Sequence, residues 1–146
     1  MSIETRLAEL GITLPAAPAP AANYVPFVIS GNLLFVSGQI SARKGRLGDD
    51  LAVEAGAEAA RTCGLALLAQ ARAALGSLDR VKRVVKLGGF VNSTPEFTDQ
   101  PEVVNGCSDL MVEVFGDRGR HARAAVSAPA LPRGVAVEVE AIFEIE

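Results

Sequence analysis

One arginine and two glutamates near the C-terminal end carry the clearest chemical signal in this sequence. In "VAVEVEAIFEI" at 135–145, Val135, Val137, Val139, Ala141, Phe143 and Ile145 alternate with a set that includes Glu138, Glu140 and Glu144. A strand here has an apolar face and a carboxylate face. Upstream, "ARAAV" at 122–126 sets Arg123 among alanines and a valine. If the two stretches form an antiparallel hairpin with Ala128 opposite Val135, Arg123 lies opposite Glu140 and diagonal to Glu138 on the same face. Two readings follow. One is a cross-strand ion pair on a solvated face, contributing about 0.2–1 kcal/mol. The other is a pocket where Arg123 clamps a substrate carboxylate through two parallel hydrogen bonds, a geometry the planar guanidinium favours and lysine cannot copy, while a glutamate orients a water. The pattern leaves both open.

Few other residues compete for a catalytic role. The one histidine, His121, sits in "RGRHAR" among Arg118, Arg120 and Arg123, which suits a loop or strand entry better than a general base. Ser37 and Ser127 lack a matching base, which argues against a serine nucleophile. Cys63 and Cys107 lie within apolar helical patterns without metal-ligand or C-x-x-C spacing and read as reduced core thiols. No metal or nucleotide motif is present, and no cofactor is expected. With a net charge of −3 the chain lacks the basic field of a nucleic-acid binder. No apolar run reaches the roughly 20 residues that span a bilayer, and the start lacks a basic-then-apolar leader pattern. A cytoplasmic protein without membrane or nucleic-acid partners is expected.

The elements that must position these residues are legible from periodicity. Its 146 residues suit a single core. "SIETRLAEL" at 2–10 predicts a short helix capped by Ser2, with Ile3, Leu7 and Leu10 on one face, and "TLPAAPAPAAN" predicts an extended surface spacer. Residues 24–40 predict a hairpin turning at Gly31-Asn32, with Pro26 at an edge or bulge. Residues 52–75 predict a long amphipathic helix ended by Gly76, whose Gly64 suggests close approach to a sheet. A strand follows at 81–91, with Gly88-Gly89 marking a bulge or a close backbone approach. A second helix begins near Asp99 as cap, with Pro101 in its first turn, and stops at Gly116. Strands at 122–128 and 135–145 close the chain. The order helix, β, β, α, β, α, β, β predicts an α+β layer with helices on one face of a mixed sheet. The other face keeps apolar side chains, which predicts an oligomer.

"VSGQI" at 36–40, "ARAAV" at 122–126 and "LPRGVAVEVEAI" at 131–142 together resemble the RidA (YjgF) family of small trimeric imine deaminases, once labelled endoribonuclease L-PSP. The resemblance spans about residues 20–146 and implies a chorismate mutase-like fold, with the N-terminal helix and spacer at 1–22 preceding a single RidA-like domain at 23–146. It also implies a homotrimer with a pocket at each subunit interface and hydrolysis of reactive 2-enamine or 2-imine acids to 2-keto acids and ammonia. Carried over by position, Arg123 matches the family's carboxylate-binding arginine and Glu138 the glutamate that positions the attacking water. Tyr24 matches an aromatic residue that enters from the neighbouring chain. Gly38 and Ala125 match positions whose main-chain groups line the site, and Asn105 in "EVVNG" matches the pocket asparagine. Two departures stand out. Ala125 occupies a position often held by cysteine, which removes any thiol role, and the chain begins earlier than is usual. Two other functions compete: a non-catalytic trimeric binder of small carboxylates or keto acids, and an endoribonuclease. One histidine, few aromatics and an acidic balance leave the latter poorly equipped.

Overall fold

A computed structural model describes residues 1–20 and 22–146. Gly31, with φ of 60°, turns a hairpin between β1 (Phe27–Ser30) and β2 (Leu33–Ile40), as the Gly-Asn pair predicts. Helix α2 (Val53–Leu75) follows, ending in a left-handed Gly76 with φ of 81°. Then come β3 (Val81–Asn92), α3 (Gln100–Phe115), β4 (Ala122–Ala128) and β5 (Val137–Ile145). Pro101 lies in the first turn of α3, but the Asp99 side chain makes no cap hydrogen bond. Instead the Gln100 amide closes onto the Phe97 carbonyl at 2.8 Å.

The five strands lie in the order β1-β2-β5-β3-β4. This overturns the closing hairpin expected from sequence. Strand β4 pairs in parallel with β3, and β5 inserts between β2 and β3, antiparallel to both. Burial accounts for the outcome. In β5 the side chains of Val137, Val139, Ala141, Phe143 and Ile145 are all buried, so the strand gains most at the sheet's centre, where both neighbours satisfy its backbone. Strand β4 is mostly alanine, with alternate residues exposed, and is the cheaper one to leave at an edge. Helix α3 supplies the long crossover that parallel pairing with β3 requires. The segment 129–136 then carries the chain back to the centre, turning at Arg133 (φ 59°) and Gly134 (φ 72°).

Helices α2 and α3 pack together and against the sheet, in one core with Phe143, Leu34, Leu87, Leu110 and Met111. Gly64 serves this helix pair rather than the sheet: a methyl group there would lie 2.8 Å from Leu110 Cδ2 and 3.1 Å from Cys107 Sγ. The Gly88-Gly89 pair is a close approach. A Cβ on Gly89 would press into Val104 at 2.7 Å, whereas the register irregularities of β3 fall earlier, between Val81 and Lys86. Both cysteines are buried and unpaired; burial pushes the Cys63 thiol far up and the Cys107 thiol up to about 12, so both stay protonated and unreactive.

Helix α1 (Ile3–Glu9) is capped as expected, Ser2 Oγ accepting from Thr5 N at 3.1 Å. It buries Ile3 and Leu7 and is tied down by Arg6 Nε donating to Glu113 O at 2.9 Å and by Arg72 meeting Glu4 at 3.1 Å. The extended segment after it crosses α2, where the buried Gln70 donates to Pro18 O at 2.6 Å. Among the described residues the opposite face of the sheet carries no helix. Val28, Phe35 and Ile142 share a register row there, and Val28, Phe35, Ile40 and Val126 are 39–50% exposed. Among the described residues no helix is long and apolar enough to cross a membrane.

Candidate active site

The residues singled out from sequence fall into two groups on opposite faces of the sheet. The first gathers around Arg123. Leu87 of β3 pairs with Arg123 on one side and with Ala141 on the other, and paired residues point the same way. Arg123 therefore projects from the helix-covered face, toward α3. Its Nη1 donates to Asn105 Oδ1 at 2.8 Å and to Ser108 Oγ at 3.1 Å, and its Nη2 donates to Pro101 O at 3.4 Å. Ala125, two residues along the same strand face, is half-buried against the core and pairs with Gly89. Both Nη1 hydrogens thus have partners. Among the described residues Nε–H has no partner, and the edge that Nε shares with Nη2 has the fork geometry that grips a carboxylate.

The second group lies on the uncovered face. Glu138 and Glu140 alternate with the buried residues of β5, so neither faces Arg123 within the chain. This corrects the expectation that the arginine and the glutamates meet on one side of a hairpin; it follows from β4 pairing with β3 rather than β5. The Glu138 carboxylate lies directly over Gly38, and a Cβ on Gly38 would run into Glu138 Oε2. A bulge sets up this contact. Between Val36 and Gln39 the register of β2 against β5 shifts by one residue, so that Ser37 and Gly38 together oppose Glu140. Beyond the bulge, Gln39 turns inward to meet Gln70 Nε2 at 3.4 Å, and Ile40 turns outward opposite Glu138. Tyr24, Gly38, Glu138, Glu140 and Arg133 line a cavity of 570 Å³, walled on one side by Pro18 and its neighbours in the N-terminal spacer. Burial, and then the neighbouring Glu140 carboxylate, raise the Glu138 pKa above its ordinary value. A carboxylate so placed holds a proton more readily than an exposed one, which suits exchange of protons with a bound water.

Sequence reasoning missed two participants, Ser108 and Arg133, and gave His121 the strand-entry position it holds. Ser108 grips Arg123 together with Asn105, and the signal was their three-residue spacing on one helix. His121 is engaged at the entry to β4: its Nε2 lies 2.8 Å from Ser108 Oγ and its Nδ1 2.5 Å from Gly119 O. Arg133, exposed and in the left-handed region, lines the cavity on the Glu138 side; its signal was its place before Gly134 in "LPRG".

Comparison with known proteins places the fold in a family. Residues 4–144 match a family described as "YjgF/chorismate_mutase-like, putative endoribonuclease", so the match reaches back into α1. Protein TCP17 of Trypanosoma cruzi is 54% identical over 150 residues, covering 98% of this chain and 94% of its own. Two crystal structures superpose over 99% of this chain, α1 and spacer included. The protein Atu1372 of Agrobacterium tumefaciens, of unknown function, does so with a TM-score of 0.92 at 52% identity over 92% of its length. A Shewanella oneidensis protein termed a putative endoribonuclease does so with a TM-score of 0.96 at 34% identity over 100% of its length. With its mixed five-stranded sheet and its helices on one face, the chain belongs to the YjgF/chorismate mutase-like family, also called RidA.

Proposed function

We propose that this protein hydrolyses reactive 2-imino acids, and the 2-enamino acids in equilibrium with them, to 2-keto acids and ammonia, at sites shared between neighbouring copies of the chain. The observation that carries this reading is the division of the site. Arg123, with Asn105 and Ser108, presents an open guanidinium edge on one sheet face, while Glu138 lies over Gly38 on the other. Neither half is sufficient alone. A second copy docked on the uncovered face would bring the Glu138 half of one chain to the Arg123 half of the next, and it would cover Val28, Phe35, Ile40 and Val126. The resemblance to RidA proteins supports an assembly of three copies.

In the completed site Arg123 holds the substrate carboxylate in two parallel hydrogen bonds, which fixes the adjacent iminium carbon. The Glu138 carboxylate accepts a proton from a water as that water's oxygen bonds to the carbon. The protonated Glu138 then passes the proton to the nitrogen of the resulting carbinolamine. Collapse of this intermediate breaks the C–N bond and leaves the ketone as the Glu138 carboxylate takes the hydroxyl proton and passes it to the departing ammonia, which leaves as ammonium. The iminium carbon is already electrophilic, so orientation and modest electrostatic help are enough to speed the reaction.

Coupling an amino-acid oxidase to the purified protein, and following imine loss with keto-acid release, tests this reading. Acceleration that disappears in an Arg123→Ala variant is expected. Keto-acid binding without acceleration for either small or bulky imines would instead favour a carboxylate-binding protein. The role of the bulge is testable in the same assay. Gly38→Ala should lower kcat by about 100-fold, because a displacement of about 1 Å at a reacting group has that effect. Its thermal midpoint should barely move, since the clashing atoms are the mobile end of the Glu138 side chain. A Gly38→Ala enzyme with wild-type kcat would show that the position of Glu138 over Gly38 does not matter.

A further inference from the structure

We propose that Ser108 and His121 form a positioning pair for Arg123, locking its guanidinium so that the Nε edge is turned to the substrate carboxylate; the inference rests on the reading of Arg123 as the carboxylate clamp. Each hydrogen bond in the series fixes the direction of the next. Gly119 O can only accept, and His121 Nδ1 lies 2.5 Å from it, so Nδ1 carries the ring proton. In the neutral ring Nε2 is then an acceptor, and the Ser108 hydroxyl 2.8 Å away donates to it. With its proton so directed, Ser108 Oγ offers its lone pairs to Arg123 Nη1 at 3.1 Å. Burial, and the nearby Arg123 charge, lower the His121 pKa despite the Gly119 carbonyl, which keeps the ring in the neutral form this series needs. Arg83 of β3 and Arg120 line the same groove, so a further positive charge on the ring would be disfavoured there.

Arg123 requires such help because its surroundings give little. It stands on the edge strand with Ala125 as its neighbour along the same face, a side chain that offers little surface to pack a long one against, and an unheld arginine carries substantial rotamer entropy. Asn105 and Ser108, three residues apart on α3, take the two hydrogens of Nη1 and leave the Nε edge as the grip. Orientation set before the substrate arrives is realised as affinity.

The test compares wild type with Ser108→Ala, Ser108→Thr, His121→Phe, the Ser108→Ala/His121→Phe double variant and Arg123→Ala. It measures KM and kcat on an oxidase-generated imine and Kd for pyruvate by calorimetry. Ser108→Ala is expected to raise KM and the pyruvate Kd about 10-fold, the typical loss for a hydrogen bond to a charged group, with kcat changed by less than about twofold. Ser108→Thr, which keeps the hydroxyl, should restore most of the affinity. His121→Phe should weaken binding in the Ser108 background and add nothing in the Ser108→Ala background, because the ring acts through that hydroxyl. Unchanged KM and Kd in Ser108→Ala, no rescue by threonine, or additive losses would each overturn the pair. If Arg123→Ala abolishes turnover while Ser108→Ala does nothing, only the positioning pair fails. If Arg123→Ala retains full turnover, the deaminase reading fails and takes the pair with it.

Discussion

Replacing Arg123 with alanine is expected to lower kcat/KM for 2-imino acids by about 10³-fold, the effect of losing a two-pronged, charge-assisted grip on a carboxylate. The thermal midpoint should change little. Arg123 is half-buried on an edge strand, and the groups it leaves behind, Asn105 and Ser108, lie where water can reach them. Lysine should recover less than about a tenth of the lost activity, since an ammonium matches the charge but not the fork. Steady-state rates for the three proteins, with melting curves as controls, check this. Near-wild-type kcat/KM in Arg123→Lys would mean that the site needs only a positive charge.

The second large effect is expected for Glu138→Gln, with kcat reduced by about 10²–10³-fold as the water loses its proton acceptor. Its pH dependence is the sharper signature. Burial, followed by Glu140, raises the Glu138 pKa above its ordinary value, so the acidic limb of the wild-type rate profile should fall at higher pH than an exposed glutamate gives and be absent from the variant. Stability should move the other way. A raised carboxyl pKa means that the folded chain binds the proton more tightly than the unfolded chain, so its stabilising contribution is full below the unfolded value. That contribution is lost as pH rises through the folded one. At neutral pH the ionised Glu138 therefore opposes folding, and Glu138→Gln should melt slightly higher than wild type at pH 7. A variant that melts lower at pH 7, or retains the acidic limb, would assign the limb to another group.

The elements were legible because their signals are local. Gly31-Asn32 has the φ preference of a tight turn, the alternation from Val137 to Ile145 survives as the buried and the more open faces of β5, and the periodicity of α2 and α3 matches their buried sides. The pairing of β4 was not legible. Neighbouring strands usually pair, but here the choice depended on which strand had more apolar surface to bury, and the fully apolar face of β5 outweighed the alanine-rich β4. Everything about the position of Arg123 follows from that choice. Sequence motifs named Arg123, Glu138 and Gly38, yet their separation onto two faces depended on the crossover through α3 and on the bulge at Ser37-Gly38. Ser108 and His121 meet only because α3 docks beside the start of β4, a contact that no pattern within either segment records. The resemblance supplied Asn105, and the structure gives its reason for being there, a 2.8 Å bond from Arg123.

If one site takes Arg123 from one chain and Glu138 from its neighbour, chains that each lack one of the two must complement each other when their subunits are mixed. Arg123→Ala and Glu138→Gln proteins, each inactive alone, are dissociated, combined in equal amounts and reassembled. Random assembly into closed rings with one site per interface makes about a quarter of the interfaces carry both an intact Arg123 and an intact Glu138. Recovery of about a quarter of wild-type imine hydrolysis is expected. Thorough mixing that restores no activity would contradict it and place both residues of each working site on a single chain.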